Sequence, residues 1–560
     1  MSQGSAQRMR VISPEASTSD KISIPVGSKT YNVKGSLKRH FLFWENMGAS
    51  KFIVDVIKFG YKIPFITTPT AIKLKNNRSA LNNKDFVSHE IASLVDLGCV
   101  IELSNPPEVV NPLTVADNGK KRLVLDLRHV NKHIFKFAVK YEGLEQLSSF
   151  MTSNCFAINF DLKSGYHHVD IFPEHQKYLG FAWHDGTKIR YFKFTVMPFG
   201  LSSACGLFTK LLKPLVKRWR NQSKSCVVYL DDGICIAKSE EVLRQQSREI
   251  RMDLSNSGFI INESKSLFSP QSKLQWLGFL IDFQNAKIYI PENKILDIVQ
   301  RLRTCLMSEV INLSYLATIV GKLIAIEPAV GSVAQLMTRA MQRQIADNNE
   351  NYFINISLSK QSLGEVKFWI ENLTKLHGKT VLDVKHDVIV YSDASATGGA
   401  GYINDRKDEV CKFSWTKTEE ETSSTHRELL AIFYTIQSLE TELKGKKAAW
   451  LSDSANACRI LKYGSMNQST NTIALQIYSL CVKLNVTIFP SWIPRSENEW
   501  ADFHSKSVDT DAWEVSEKIF AYFDHLWGRH TYDRFANSEN KKCRTREQSH
   551  MESGNGQNMR

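Results

Sequence analysis

The sequence predicts a multidomain chain in two parts, an α+β part followed by an α/β unit. Three observations carry this. At 560 residues the chain is too long for one core and suggests roughly three or four domains. The run CVVYLDDGICIA places two apolar β-rich pieces, Cys226 to Leu230 and Ile234 to Ala237, around Asp231, Asp232 and Gly233, which reads as a hairpin with acids at its tip. Much later, VIVYSDASATGGAGYI opens an alternation of strands and helices.

Composition bounds the partners. Hydrophobic residues make up 42% and charged residues 23%, ordinary values for a folded chain. The balance of 71 Lys+Arg against 58 Asp+Glu gives +13, which suits a polyanionic partner. Ten cysteines are scattered with no Cys-x-x-Cys pair, so neither a zinc ribbon nor a disulfide framework is supported and a reducing compartment is the simplest setting. No apolar run reaches about 18 residues and MSQGSAQRMR lacks a signal-peptide core, so a soluble intracellular chain with no membrane partner is expected.

Residues 1–34 are polar and read as a flexible arm. From Gly35, Phe41, Trp44, Phe52, Ile53, Val56, Ile57 and Phe65 keep helical spacing up to Gly60 and Pro64. A helix capped by Asp85 runs through Val87, Ile91, Leu94 and Val95 to a stop at Gly98. The stretch VVNPLTVADNGKKRLVLDL reads as a hairpin with a basic tip. Residues 154–171 form a strand ending at Asp161. An amphipathic helix then carries Leu207, Phe208, Leu211, Leu212, Leu215, Val216 and Trp219, with Pro214 expected to break or restart it. A second hairpin, LQWLGFLIDFQNAKIYI, precedes a basic helical stretch from Pro291 to His377. The α/β unit follows, and a basic tail closes the chain.

Two carboxylate constellations stand out. Asp161 can meet Asp231 and Asp232 if their strands are neighbours, giving three acids around two Mg²⁺ ions, with Mn²⁺ as the alternative. The expected chemistry is nucleotidyl transfer; the bland alternative is a solvated acidic turn. Asp393, Glu428, Asp453 and Asp502 follow one another at intervals of 35, 25 and 49 residues, on strand, helix, strand and helix. Four acids around two metals suit hydrolysis of a phosphodiester by an activated water.

In order, FDLKSGYHHV, MPFGLSSACGLF, YLDDGICIAKS and LQWLGFLID resemble the palm motifs of a retroelement reverse transcriptase. YSDAS, STHRELLAI, LSDSANA and ENEWADFHSKS resemble the four acidic motifs of a ribonuclease H domain. More broadly, these motifs resemble those of gypsy-type retrotransposons and plant pararetroviruses. The entry GSLKRHFLFWENMGASKFIVDVIKFGYKIPF, the phrase SWIPRSENEWAD and the later HTYDRFANSENKKC are similar to the DIRS-type group, whose elements use a tyrosine recombinase. No Asp-Ser/Thr-Gly triplet of an aspartic protease occurs, which agrees with that group.

The resemblance implies a right-hand polymerase of fingers, palm and thumb followed by an α/β ribonuclease H-like domain. Its expected boundaries are 1–34 for the arm, 35–285 for fingers and palm, 286–385 for thumb and connection, 386–510 for the ribonuclease H-like domain and 511–560 for the tail or the start of a further domain. It makes Asp161 and Asp231 the principal metal ligands, with Asp232 supporting them and Leu162 offering its carbonyl. Tyr166 matches the steric gate against a 2′-hydroxyl. Arg122, with Lys120 or Lys121, would meet the incoming triphosphate, Phe199 and Gly200 would line the nucleotide pocket, and Lys265 would face the pyrophosphate. Implied partners are an RNA template, a DNA primer, RNA–DNA hybrid and deoxynucleoside triphosphates. One departure is plain: no histidine lies between His426 and Asp502, where many relatives carry one to help product release. The competing reading is a domesticated or inactive retroelement-derived nucleic-acid-binding protein. Seven intact acids argue against it.

Overall fold

The computed structural model describes residues 32–117, 119–136, 138–348, 351–382, 385–506, 516–528, 532–533 and 545–546. Nearly all of the expected N-terminal arm, the Asn118 turn and most of the stretch HTYDRFANSENKKC lie outside them. The chain divides into two compact units, one of residues 1–137, 163–208 and 254–260, the other of 138–162, 209–253 and 261–560.

In the first unit the N-terminal helical spacing is realised as three short helices, Ser36–Arg39, Phe41–Asn46 and Lys51–Phe59. Trp44 anchors them: it is fully buried and its Nε1 donates to the Ser257 carbonyl at 2.9 Å. Phe52, placed on the apolar side by the spacing, stays half exposed. The next helix spans Lys84–Asp96, with Asn83 rather than Asp85 at the cap position and Asp85 in the first turn, where its charge still suits the helix dipole. A five-stranded sheet runs in the order Ile72–Lys73, Val109–Asn111, Gly180–His184, Ile189–Phe194 and Val100–Leu103. The basic hairpin pairs Leu113–Asp117 with Lys121–Leu125, Asp117 facing Lys121.

The second unit begins with a four-stranded antiparallel sheet in the order Leu267–Gln271, Phe156–Asp161, Asp232–Ala237 and Ser225–Tyr229. The helix Ala204–Asn221 runs through Pro214 without a break, contrary to the expectation. A proline inside a helix costs about 3 kcal/mol or more. Leu211, Leu212, Leu215 and Trp219, all buried around it, hold both sides of the proline in place.

A meander of Lys273–Trp276, Phe279–Asp282 and Lys287–Tyr289 shares one core with the helices Glu292–Met307, Leu313–Ala325 and Lys360–Leu376, centred on Trp276, Phe283 and Trp369. Last comes a five-stranded sheet, ordered Cys411–Ser414, Gly398–Ile403, Val388–Ala394, Lys447–Ser452 and Thr487–Trp492. The first three strands are antiparallel and the last two run parallel to Val388–Ala394. Val390, Leu429, Ile432 and Trp450 form its separate core. The 17-residue helix Gln468–Leu484 in this unit carries no acidic motif, and the motif reading passed over it. Among the described residues no helix is long and apolar enough to cross a membrane, and the cysteines are free.

Candidate carboxylate sites

Strand register builds the first site. Phe156–Asp161 and Asp232–Ala237 pair so that Asp161 faces Asp232 directly. Asp232 also faces Tyr229, which leaves Leu230 and Asp231 as a two-residue hairpin loop. Leu230 occupies the left-handed region at φ 53°, a costly conformation for a branched side chain. The Leu162 N–H donates to the Asp231 carbonyl at 3.0 Å and ties the loop to the end of the neighbouring strand.

Gly233 was read as part of the turn, and the structure corrects this. It lies in the strand, where a Cβ would stand 2.1 Å from Cζ of Phe160. The glycine makes room for that ring, which packs edge-on against Trp219 at 5.9 Å.

Asp161 is buried and fully engaged. Asn262 Nδ2 donates to its Oδ1 at 2.6 Å, Lys265 Nζ to its Oδ2 at 3.1 Å, and its own N–H donates to Ser266 Oγ at 3.0 Å. Burial, together with the charges of Asp231 and Asp161, pushes the Asp232 carboxyl up to about 6, with Lys265 opposing. Lys265 therefore sits on an acid, in the position of a counter-charge. Asn262 and Ser266 escaped the sequence reading, although Asn262, Lys265 and Ser266 have the i, i+3, i+4 spacing that a single turn brings together.

The expected nucleotide-pocket residues Arg122, Lys121, Tyr166, Phe199 and Gly200 belong to the first unit. The Tyr166 hydroxyl and Cys205 Sγ are hydrogen-bonded at 2.9 Å, and its ring packs against Phe199 at 5.2 Å and Phe208 at 5.5 Å. Gly200 has φ 108°, and a Cβ there would lie 2.0 Å from the Leu125 carbonyl oxygen. The Leu125 N–H donates to the Phe199 carbonyl at 3.3 Å, so this turn is fastened to the base of the basic hairpin. Lys121 and Arg122 are exposed on the same hairpin.

The second site gathers acids from four elements. Asp393 lies in the central strand, Glu428 in the helix Ser424–Ser438, Asp453 just beyond the strand Lys447–Ser452, and Asp502 in the helix Glu499–Lys506. Oxygens of Asp393, Glu428 and Asp453 lie within 4.8 Å of one another, the one such group of three among the described residues. Asp161, Asp231 and Asp232 do not close to that distance.

Asp502 lines the same cleft of about 380 Å³ but is engaged by Arg495 and, at 2.5 Å, by Lys506 Nζ. Partial burial alone would raise its carboxyl; the hydrogen bonds from Lys506 and Arg495 prevail and hold it below the ordinary value. Burial and the neighbouring acids push Asp393 up to about 6, with Ser505 opposing, and Glu428 up to about 9, with Arg427 and Arg495 opposing. Glu428 Oε2 is buried with no hydrogen-bond partner.

An orphaned carboxylate oxygen beside two further acids matches the oxygen donor set that a hard divalent cation takes. Two supporting residues were missed at the sequence level. Ser505 Oγ donates to Asp393 Oδ2 at 2.6 Å, and the fully buried Asn498 donates to the Ser392 carbonyl at 3.2 Å. Ser505 stands three residues beyond Asp502, a spacing that could have pointed to it.

Comparison with known proteins bears on the segment that carries the first site. The family model for reverse transcriptase (RNA-dependent DNA polymerase) matches residues 112–281, which contain every residue named above for polymerase chemistry. The Pol polyprotein of the gypsy transposon of Drosophila melanogaster is 23% identical over 418 residues, covering 69% of this chain and 38% of that protein. The enzymatic polyprotein of Figwort mosaic virus (strain DxS) is 22% identical over 414 residues, covering 71% and 59%. The chain thus spans about two fifths and three fifths of the lengths of these relatives. A foamy viral protease-reverse transcriptase, solved in complex with an RNA/DNA hybrid, superposes with TM-score 0.50 at 15% identity, covering 89% of this chain and 67% of that one, a likeness of fold. The chain carries a reverse transcriptase domain whose homologues are gypsy and pararetroviral polyproteins.

Proposed function

We propose that the chain copies RNA and DNA templates into DNA from a DNA primer and deoxynucleoside triphosphates, and that residues 386–510 form a ribonuclease H-like domain that cuts the RNA strand of the resulting hybrid. The register that sets Asp161 opposite Asp232 carries the polymerase reading, because it puts an acid from each of two strands beside the hairpin-tip Asp231. The group of Asp393, Glu428 and Asp453, with the orphaned Glu428 oxygen, supports the second activity.

In this reading Asp161, Asp231 and the Leu162 carbonyl hold two Mg²⁺ ions at the first site with support from Asp232, and Asp393, Glu428, Asp453 and Asp502 hold two at the second. Bound divalent ions supply the charge that eases deprotonation of the attacking hydroxyl or water and stabilises the leaving oxygen. Asn262 fixes the Asp161 carboxylate, and Lys265 balances its charge until substrate arrives. Arg122, with Lys121, binds the triphosphate, Tyr166 excludes a 2′-hydroxyl, and Phe199 with Gly200 shapes the nucleotide pocket. Residues 35–285 serve as fingers and palm and 286–385 as thumb and connection, in an element of the DIRS type.

Primer extension on poly-rA with oligo-dT tests the first activity. The parent extends and Asp231→Asn does not; equal extension would leave the nucleic-acid-binding reading in its place. Cleavage of a labelled RNA strand in a hybrid, compared with Asp393→Asn, tests the second.

A further inference from the structure

The segment Trp492–Asn498 crosses the rim of the second cleft and is pinned at both ends. At its start Trp492 Nε1 donates to the Asp453 carbonyl at 2.9 Å, and the Ile493 N–H to the Ser452 carbonyl at 3.1 Å. At its end the Asn498 side chain is buried on the Ser392 carbonyl. Pro494 and a single turn, Arg495–Glu497, stiffen what lies between. The two largest side chains of this rigid segment nonetheless remain in solvent. Trp492 is 56% exposed, at the end of a strand with no further strand beside it among the described residues, and the Arg495 side chain is 66% exposed while lining the cleft.

A large indole fixed by its N–H with more than half of its surface in water is open to stacking; such platforms stack on bases and sugars. A guanidinium at the mouth of an acidic cleft suits a phosphate, whose oxygens offer the same two-point geometry as the carboxylate it now engages. Lys506 remains on Asp502 when Arg495 turns away, so that acid keeps a counter-charge.

We propose that Trp492 and Arg495 form a clamp for the nucleic-acid strand entering this cleft, Arg495 holding a backbone phosphate and Trp492 packing on the adjoining base or sugar. The assignment of the strand as the RNA of a hybrid rests on the ribonuclease reading; the clamp itself does not.

The test is binding of the full-length chain to an RNA–DNA hybrid in EDTA, followed by anisotropy across a salt series. Arg495→Ala lowers the slope of log affinity against log salt by about one and weakens binding about tenfold, while Arg495→Lys keeps the slope. Trp492→Ala weakens binding to a similar extent with the slope unchanged, and Trp492→Phe recovers most of it. The Tm and far-UV circular dichroism of all four variants stay at the parent level, which reports intact folding. Parental affinity and slope in Arg495→Ala and Trp492→Ala would overturn the clamp. Should the slope fall as stated while the parent cleaves RNA no faster than Asp393→Asn, the clamp stands and the ribonuclease reading falls.

Discussion

Ser505 Oγ donates to Oδ2 of Asp393 at 2.6 Å, so an acid in the central strand is held from a helix more than a hundred residues later. This bond opposes the burial and like charges that push Asp393 up to about 6. Ser505→Ala therefore raises that value further and shifts the acidic limb of the RNA-cleavage profile to higher pH. The maximal rate falls about 10- to 100-fold, as for other supports of metal ligands. A rate profile at fixed Mg²⁺ checks this, with primer extension as the internal control.

Glu428 connects the second site to stability. Its carboxyl is raised to about 9 in the folded chain, above its unfolded value, so the folded state binds the extra proton. Its contribution to metal-free stability is then fully present below the ordinary glutamate range and is lost as pH rises towards about 9. Glu428→Gln removes this loss and raises the metal-free Tm at pH 8. It also reduces the gain in Tm on adding Mg²⁺. Differential scanning fluorimetry with and without EDTA reads both effects.

At the first site Lys265 opposes the rise of Asp232. Lys265→Met pushes the Asp232 carboxyl higher, and the pH at which primer extension is half-maximal moves up with it. Asn262→Ala loosens Asp161 without removing a charge. Its extension rate drops about 10- to 100-fold with little shift in pH dependence.

Gly233→Ala puts a methyl group 2.1 Å from the Phe160 ring. The strand cannot move away without losing the register that pairs Asp161 with Asp232. The substitution costs about 1–3 kcal/mol or more in urea unfolding. Phe160→Leu in the same chain recovers part of the loss, and the two changes are non-additive in a double-mutant cycle.

Tyr166→Val removes the ring packed between Phe199 and Phe208. Ribonucleotide incorporation rises relative to deoxynucleotide incorporation, while the rate with deoxynucleotides changes less. Competing single-nucleotide additions measure the ratio.

Local sequence pattern sets the elements that hold the acids. The apolar runs on either side of Asp231 and Asp232 form the expected hairpin, and the strand ending at Asp161 and the four acid-bearing elements of the last unit lie where their patterns place them, Asp453 just past its strand. Local periodicity and turn chemistry act over a few residues, and those are readable one segment at a time. Tertiary structure decided which residues support those acids, what Gly233 is for, and why Pro214 does not stop its helix. Asn262 reaches Asp161 across 101 residues, Asn498 reaches Ser392 across 106, and Phe160 claims the space above Gly233 from the neighbouring strand. These contacts depend on strand register and on packing from both sides, and neither is a property of any one segment.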